Sequence, residues 1–295
     1  MPKSFLFLLL VAGFFIQSCQ APTSETEQSE TTTPKQDLKI VSLSGLITEV
    51  LFELGYGDQI IAVDITSTYP EKTKDLESLG HVTNLNVEAL LKLQPDFLFY
   101  EAQQKGQIAF EQLEDAGIKV VPVPTYFGMG NASLAAKTIA ENLEVDPTKV
   151  EAMNIKIAAD SLALQELLAY SKDQPKALFI YARGAGRVLA AGQNTSMDAM
   201  IELAGGENVI QSFEGFKALT PESIIQNPPE IILMFDSGLS SLDGIEGLAT
   251  IPGLEKTPAI QHQQVFTMDG HLMSAFGPRS GEAAKIIAEA FQNVP

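Results

Sequence analysis

Three short segments concentrate the side chains able to do chemistry. The first, Asp64–Pro70, places a carboxylate, three hydroxyls (Thr66, Ser67, Thr68) and the phenol of Tyr69 directly after an apolar stretch. A residue before proline is biased towards extended backbone. The Tyr69 ring is therefore expected to project from a loop at a strand's C-terminal end, where open α/β sheets bind ligands. The second, Met268–Arg279, mixes Met273 and Phe276 with His271 and Arg279 around two turns. The third, Phe179–Gly192, carries Tyr181, Arg183 and Arg187 in a glycine-rich loop. Taken alone, each reads as a loop sooner than as a site. The acid pair Asp64 and Glu71 could do acid–base work if the two converged, which the sequence does not indicate.

Other chemistries are excluded or unsupported. There is no Walker A loop, no Gly-x-Ser-x-Gly elbow and no His-Glu-x-x-His. Gly184-Ala-Gly186 is followed by Leu189 where a dinucleotide fingerprint needs Gly or Ala, so it reads as a loop. His81, His262 and His271 are scattered without metal-ligand spacing, and a single Cys cannot build a cysteine-rich metal site or an internal disulfide. With 37 acidic against 19 basic residues, the net charge of −18 argues against nucleic acid as a partner. A hydrophobic content of 45% rules out wholesale disorder.

The lone Cys has a place in the N-terminus. Lys3 precedes an apolar run from Phe5 to Ile16. The run is too short for a bilayer span, which needs ~20 residues, but it suits the core of a signal peptide. It ends in Ile16-Gln17-Ser18-Cys19, which resembles a bacterial lipobox and implies cleavage before Cys19 and lipidation of that thiol. Residues 19–37 are rich in Thr, Ser, Glu, Gln and Pro and are expected to form a flexible acidic tether.

The elements that must position the three segments follow from periodicity and an internal repeat. Ile47–Ile61 lines up with Ser196–Ile210, each an apparent helix, a glycine-rich stop and a strand start. Val87–Phe99 lines up with Pro221–Leu233, superimposing Glu88 on Glu222, Pro95 on Pro229 and Asp96 on Glu230. Two matches in the same order predict two similar α/β lobes. Strands are expected at 39–43, 60–63, 97–100 and 119–123, then at 176–181, 231–235 and 264–268. Helices are expected at 46–54, 87–92, 107–116, 196–203, 221–226 and 279–291. Alternating strands and helices predict mainly parallel sheets covered on both faces. Between the lobes, 132–143 and 147–170 read as helical, with Val150, Met153, Ile157, Leu164 and Leu168 on one stripe. The expected organisation is thus a signal segment (1–18), a tether (19–37), an N-terminal lobe (38–130), a helical bridge (131–172) and a C-terminal lobe (173–295). A single rigid helix between lobes limits hinge motion more than extended strands would.

Several stretches, in order, resemble the substrate-binding lipoproteins of ABC importers for iron complexes, cobalamin and haem. They are Ile40–Glu49, Gly57–Asp58, Val63–Pro70, Ala190–Thr195, Ala204–Asn208, Met268–Gly270 and Phe276–Arg279. The likeness spans residues 38–293 and is greatest to the haem binders. It implies two lobes bridged by a long helix, no catalysis, and haem held between the lobes for an ABC permease. By resemblance, Tyr69 is the axial ligand to haem iron, Arg183 and Arg279 favour its phenolate and pair with the propionates, and Met273 and Phe276 cover porphyrin faces. Some relatives carry a second axial His where this chain has Arg183, and His271 is the candidate substitute. Glu88 and Glu222 correspond to a pair of carboxylates that dock a relative onto its permease. The expected location is the periplasmic side of the bacterial envelope, anchored through Cys19. Cobalamin or a ferric siderophore on the same scaffold is the alternative ligand, the absence of Trp weighing slightly against cobalamin. A small-molecule enzyme is the remaining alternative.

Overall fold

The computed structural model describes residues 37–104, 108–171 and 174–295. The expected signal segment, Cys19 and the tether up to residue 36 lie outside the described residues. Among those described, no helix is long and apolar enough to cross a membrane.

Short apolar runs build the N-terminal sheet. The strands are β1 (Ile40–Ser42), β2 (Ile60–Val63), β3 (Glu77–Ser78), β4 (Phe97–Glu101) and β5 (Lys119–Val123). They lie in the order β3-β2-β1-β4-β5, and every neighbouring pair is parallel. Alternate residues of a strand point to opposite faces, so each strand feeds two cores. Ile40, Phe99 and Val121 enter one, and Val41, Leu98 and Val120 enter the other. The connecting helices are α1 (Gly45–Glu53), α2 (Val87–Leu93), α3 (Ile108–Asp115) and α4 (Asn131–Asn142).

Helix α5 (Pro147–Ala169) has 23 residues, about 34 Å at 1.5 Å per residue. Pro147 occupies its first turn, and the Asp146 carboxylate accepts from the Thr148 N–H at 2.9 Å, a proline start and side-chain cap that suit a helix N-terminus. The anticipated stripe divides between lobes: Val150, Met153 and Ile157 pack into the N-terminal core, Leu164 and Leu168 into the C-terminal core. Helix α4, expected within the bridge, instead buries Ala132, Ala135, Ala136 and Ile139 in the N-terminal core.

The C-terminal lobe follows with β6 (Lys176–Ala182), β7 (Val188–Ala191), α6 (Ser196–Leu203), β8 (Glu207–Asn208), β9 (Phe216–Ala218), α7 (Pro221–Gln226) and β10 (Ile231–Phe235). Four helices of four or five residues each come next: α8 (Asp236–Ser240), α9 (Gly244–Leu248), α10 (Pro258–Gln261) and, after β11 (Val265–Met268), α11 (Gly270–Ser274). Helix α12 (Ser280–Phe291) closes the chain and packs along α5.

The internal repeat has a structural counterpart. Gly55 after α1 and Gly205 after α6 take φ of +87° and +84°, the left-handed backbone that glycine adopts without penalty. Each helix then ends in the same pair of bonds: Gly55 N–H to Phe52 and Tyr56 N–H to Leu51, Gly205 N–H to Glu202 and Gly206 N–H to Ile201.

The sheets differ in one respect. β2 takes one edge of β1 in the first lobe. In the second, the matching edge of β6 is shared: β8 pairs in parallel with Lys176–Ala177, and β7 pairs antiparallel with Ile180–Ala182. The glycine-rich loop is the hairpin turn that makes this possible, with Arg183 and Arg187 bonded across it and Gly184 at φ +69°. β9 adds antiparallel to β7, while β10 and β11 continue in parallel.

Candidate functional site

A cleft of about 480 Å³ lies between the lobes, within the size range of small-molecule sites. Its lining comes from the C-terminal ends of strands in both lobes: Gly45 after β1, Thr66 after β2, Glu101 at the end of β4, Phe127 after β5, Arg183 after β6 and His271 after β11.

The Asp64–Pro70 loop is held by its own polar side chains. Buried Asp64 accepts from Thr66 Oγ1 at 2.6 Å and from Ser67 Oγ at 2.7 Å. Thr66 Oγ1 accepts from the Gly45 N–H at 3.1 Å, and Ser67 pairs with Thr48 at 2.7 Å. These bonds fix the loop to the start of α1 and leave Tyr69 beyond it, 39% exposed. Thr68 lines the cleft, whereas Tyr69 stands one residue beyond it and is not in the lining.

Arg279 and His271 meet on one carboxylate. The Arg279 guanidinium lies 3.5 Å from the Tyr69 ring centroid, a cation–π geometry. Its Nε and Nη2 donate to Glu49 Oε1 and Oε2 at 2.8 and 3.2 Å. Glu49 Oε2 also meets His271 Nε2 at 2.9 Å. The Glu49 side chain is 2% exposed. Burial alone pushes its carboxyl up, but the hydrogen bonds from His271 and Arg279, together with their charges, outweigh burial and hold it below the ordinary carboxylate range. With both Glu49 oxygens as partners, Arg279 is committed to the protein and is not a free propionate clamp.

Two expected cleft residues are core residues. Met273 is 0% and Phe276 1% exposed, both in the C-terminal core. The one-turn helix α11 rolls Met273 inward, and Phe276, at φ +51°, turns its ring under the N-terminal wall. The Phe276 ring packs against Phe127, centroids 5.7 Å apart, and Phe127, half exposed, presents a ring to the cleft beside Tyr126. Phe276→Ala is expected to cost about 3–5 kcal/mol of stability in denaturant titration, with ligand stoichiometry unchanged. A small stability loss with abolished binding would instead put that ring on the ligand.

Arg183 is exposed and faces the cleft. Glu101 opposes it in sign. Its carboxylate accepts from Ser44 Oγ at 2.6 Å and Gln103 Nε2 at 2.7 Å. Burial pushes this carboxyl up, the Ser44 bond opposes that, and the charge of Asp64 reinforces it. A carboxyl raised on folding loses stability as pH climbs above the unfolded value near 4.5. Glu101→Gln is therefore expected to melt higher than the native chain at pH 7, the advantage vanishing below pH 4.5.

Glu88 and Glu222 are both exposed in the first turns of α2 and α7, capped by Asn86 and Thr220. His81 and His262 are exposed, and among the described residues no three His, Cys, Asp or Glu side chains gather to hold a metal. Glu49, Glu101 and Phe127 carry much of the site without standing out in the sequence. Their only local signal is position: the first helix after β1, and the C-terminal ends of β4 and β5.

This two-lobed scaffold, with its cleft at the strand ends, defines a binding protein. The chain matches the periplasmic binding protein family over residues 40–272 and belongs to it. It is similar to the apo periplasmic haem-binding protein RhuT of Roseiflexus sp. RS-1, with 32% identity, 88% of this chain and 99% of that one covered, and a TM-score of 0.83. The ABC transporter substrate-binding lipoprotein YvrC of Bacillus subtilis (strain 168) is 28% identical, covering 90% of this chain and 83% of the relative. A vitamin B12-binding protein of Vibrio vulnificus (strain CMCP6) is 26% identical, with 87% and 90% covered.

Proposed function

We propose that this chain captures haem in the interlobe cleft and hands it to an ABC permease, binding its ligand without catalysis. The observation that carries the reading is Tyr69, exposed on a loop pinned beside the cleft, with a guanidinium over its ring. A phenolate is a hard anionic donor suited to ferric iron, and tyrosine is a known haem ligand. Phe127 offers apolar surface to a porphyrin face, and Arg183, over the Tyr181 ring, is a cation in the cleft for a propionate. His271 is poorly placed to serve as a second axial ligand, because its Nε2 is bonded to Glu49 and its Nδ1 packs against Gly45. The haem-binding relative and its high structural similarity support the same ligand.

Cobalamin is the second reading, favoured by Glu101 and Asp269 in the cleft lining. Carboxylates there accept from the amide groups of a corrin rim but repel propionates. The cobalamin-binding relative points the same way. Equilibrium dialysis of the purified protein against hemin, cyanocobalamin and a ferric hydroxamate separates them. Saturable one-to-one retention of hemin over the other two is expected, and preference for cyanocobalamin would transfer the site to the second reading.

Delivery rests on Glu88 and Glu222 as docking knobs for the permease, and location on cleavage before Cys19 and its lipidation. The similarity to a substrate-binding lipoprotein supports an envelope-associated, periplasmic site.

A further inference from the structure

The two lobes are joined beside the cleft by more than α5. Glu49 belongs to α1 of the N-terminal lobe, His271 to α11 and Arg279 to the residue preceding α12 in the C-terminal lobe. The contacts span 222 and 230 residues of sequence, and the Glu49, His271 and Arg279 side chains are 2%, 4% and 15% exposed. The backbone makes room for the cluster at two glycines. A Cβ on Gly45 would run into the His271 ring, and one on Gly277 would sit 3.2 Å from Glu49 Oε2. Close by, Asn131 Nδ2 donates to the Phe276 carbonyl at 3.3 Å, a second bond between lobes.

We infer that Glu49 is a positioning residue: a single buried carboxylate that clasps the two lobes and, through Arg279, sets the guanidinium against Tyr69. The inference rests on the haem reading only for its effect on ligand, since the clasp itself is a property of the unliganded protein. The reasoning is geometric. Arg279 touches Tyr69 on one side and Glu49 on the other, so it cannot shift without moving one of them. A guanidinium held bidentately by a carboxylate has a fixed position, and its central carbon lies 3.5 Å from the Tyr69 ring centroid. His271 shares the same carboxylate and also lines the cleft. Tyr69 and Glu282 are the titratable neighbours on the Arg279 side of the cluster. A wider separation of the lobes would pull Arg279 and His271 off Glu49 together. Occupancy of the cleft and closure of the clasp are then two sides of one equilibrium.

The test combines hydrogen exchange on the unliganded full chain with hemin affinity. Glu49→Gln is compared with the native chain and with Asp58→Asn, a control at the exposed Lys72–Asp58 pair. The Met273 and Ala275 amides, bonded to Asp269 and His271 carbonyls, are expected to exchange about tenfold faster or more in Glu49→Gln, with the control unchanged. Hemin affinity is expected to fall by about tenfold in the native background and by less than about twofold in a Tyr69→Phe background, because the effect runs through the phenol oxygen that this substitution removes. Equal losses in both backgrounds, or unaltered exchange in α11, would overturn the inference. If Glu49→Gln does not fold, Glu49→Asp keeps the charge but is one methylene too short for both partners. It is expected to accelerate exchange in α11, and native-like exchange would overturn the inference equally. A native protein that takes up no hemin contradicts the ligand reading alone, and the exchange result still decides the clasp.

Discussion

Replacing Tyr69 with phenylalanine is expected to abolish the tyrosinate-to-ferric charge-transfer absorption of the hemin complex and to weaken binding by about 10–100-fold or more. Losing even an outer partner of a metal ligand costs that range, and here the donor atom itself is lost. The substitution removes one oxygen and keeps the ring, so the contact with Arg279 survives. The side chain is 39% exposed, so stability should move by less than about 0.5 kcal/mol. Fold and affinity are thereby separated. A tyrosinate spectrum that persists in Tyr69→Phe would reassign the ligand, with Tyr126, about half exposed in the cleft wall, as the next phenol to examine.

Reversing both proposed docking charges, Glu88→Lys with Glu222→Lys, is expected to abolish uptake in cells while hemin affinity stays native. Both carboxylates are exposed and lie at equivalent places in the repeat, one per lobe, an arrangement suited to a two-fold permease surface. Bringing like charges together at an interface costs several kcal/mol, which is about 100-fold or more in affinity for each docking event. The folded protein should tolerate the change. Asn86 and Thr220 still cap the two helices, and a favourable carboxylate in a first turn is worth only ~0.3–1 kcal/mol. Single reversals should impair uptake partially. Full uptake by the double variant would remove both residues from docking.

How much of this could be read from the sequence depended on range. The strands at 60–63, 119–123 and 231–235 and the helices at 196–203 and 221–226 lie where apolar period and caps put them, because these signals are local. The stripe on α5 was legible for the same reason, down to which side chains turn inward. Elements of four or five residues, such as α8 to α11, span little more than one helical period of about 3.6 residues, too little for an amphipathic pattern to repeat, and left no signature. The β6–β7 hairpin was visible only as a glycine-rich loop, since pairing with β9 is decided by tertiary contact.

Within the site, the segments around Tyr69, Arg183 and Arg279 stood out by residue type. The partner that organises two of them, Glu49, did not, because nothing local marks an acid in an apolar helix as the partner of groups more than 200 residues away. Met273 and Phe276 were misassigned for a related reason. Apolar side chains among charged neighbours look like a ligand wall, yet a single helical turn and a left-handed residue were enough to bury both.

The central claim is that this cleft takes haem, and an absorbance titration of the purified native protein with hemin tests it most directly. A saturable Soret shift ending at one equivalent, with a charge-transfer band of a ferric tyrosinate complex, is the predicted result. A Soret region that merely sums free hemin and protein throughout the titration would contradict it.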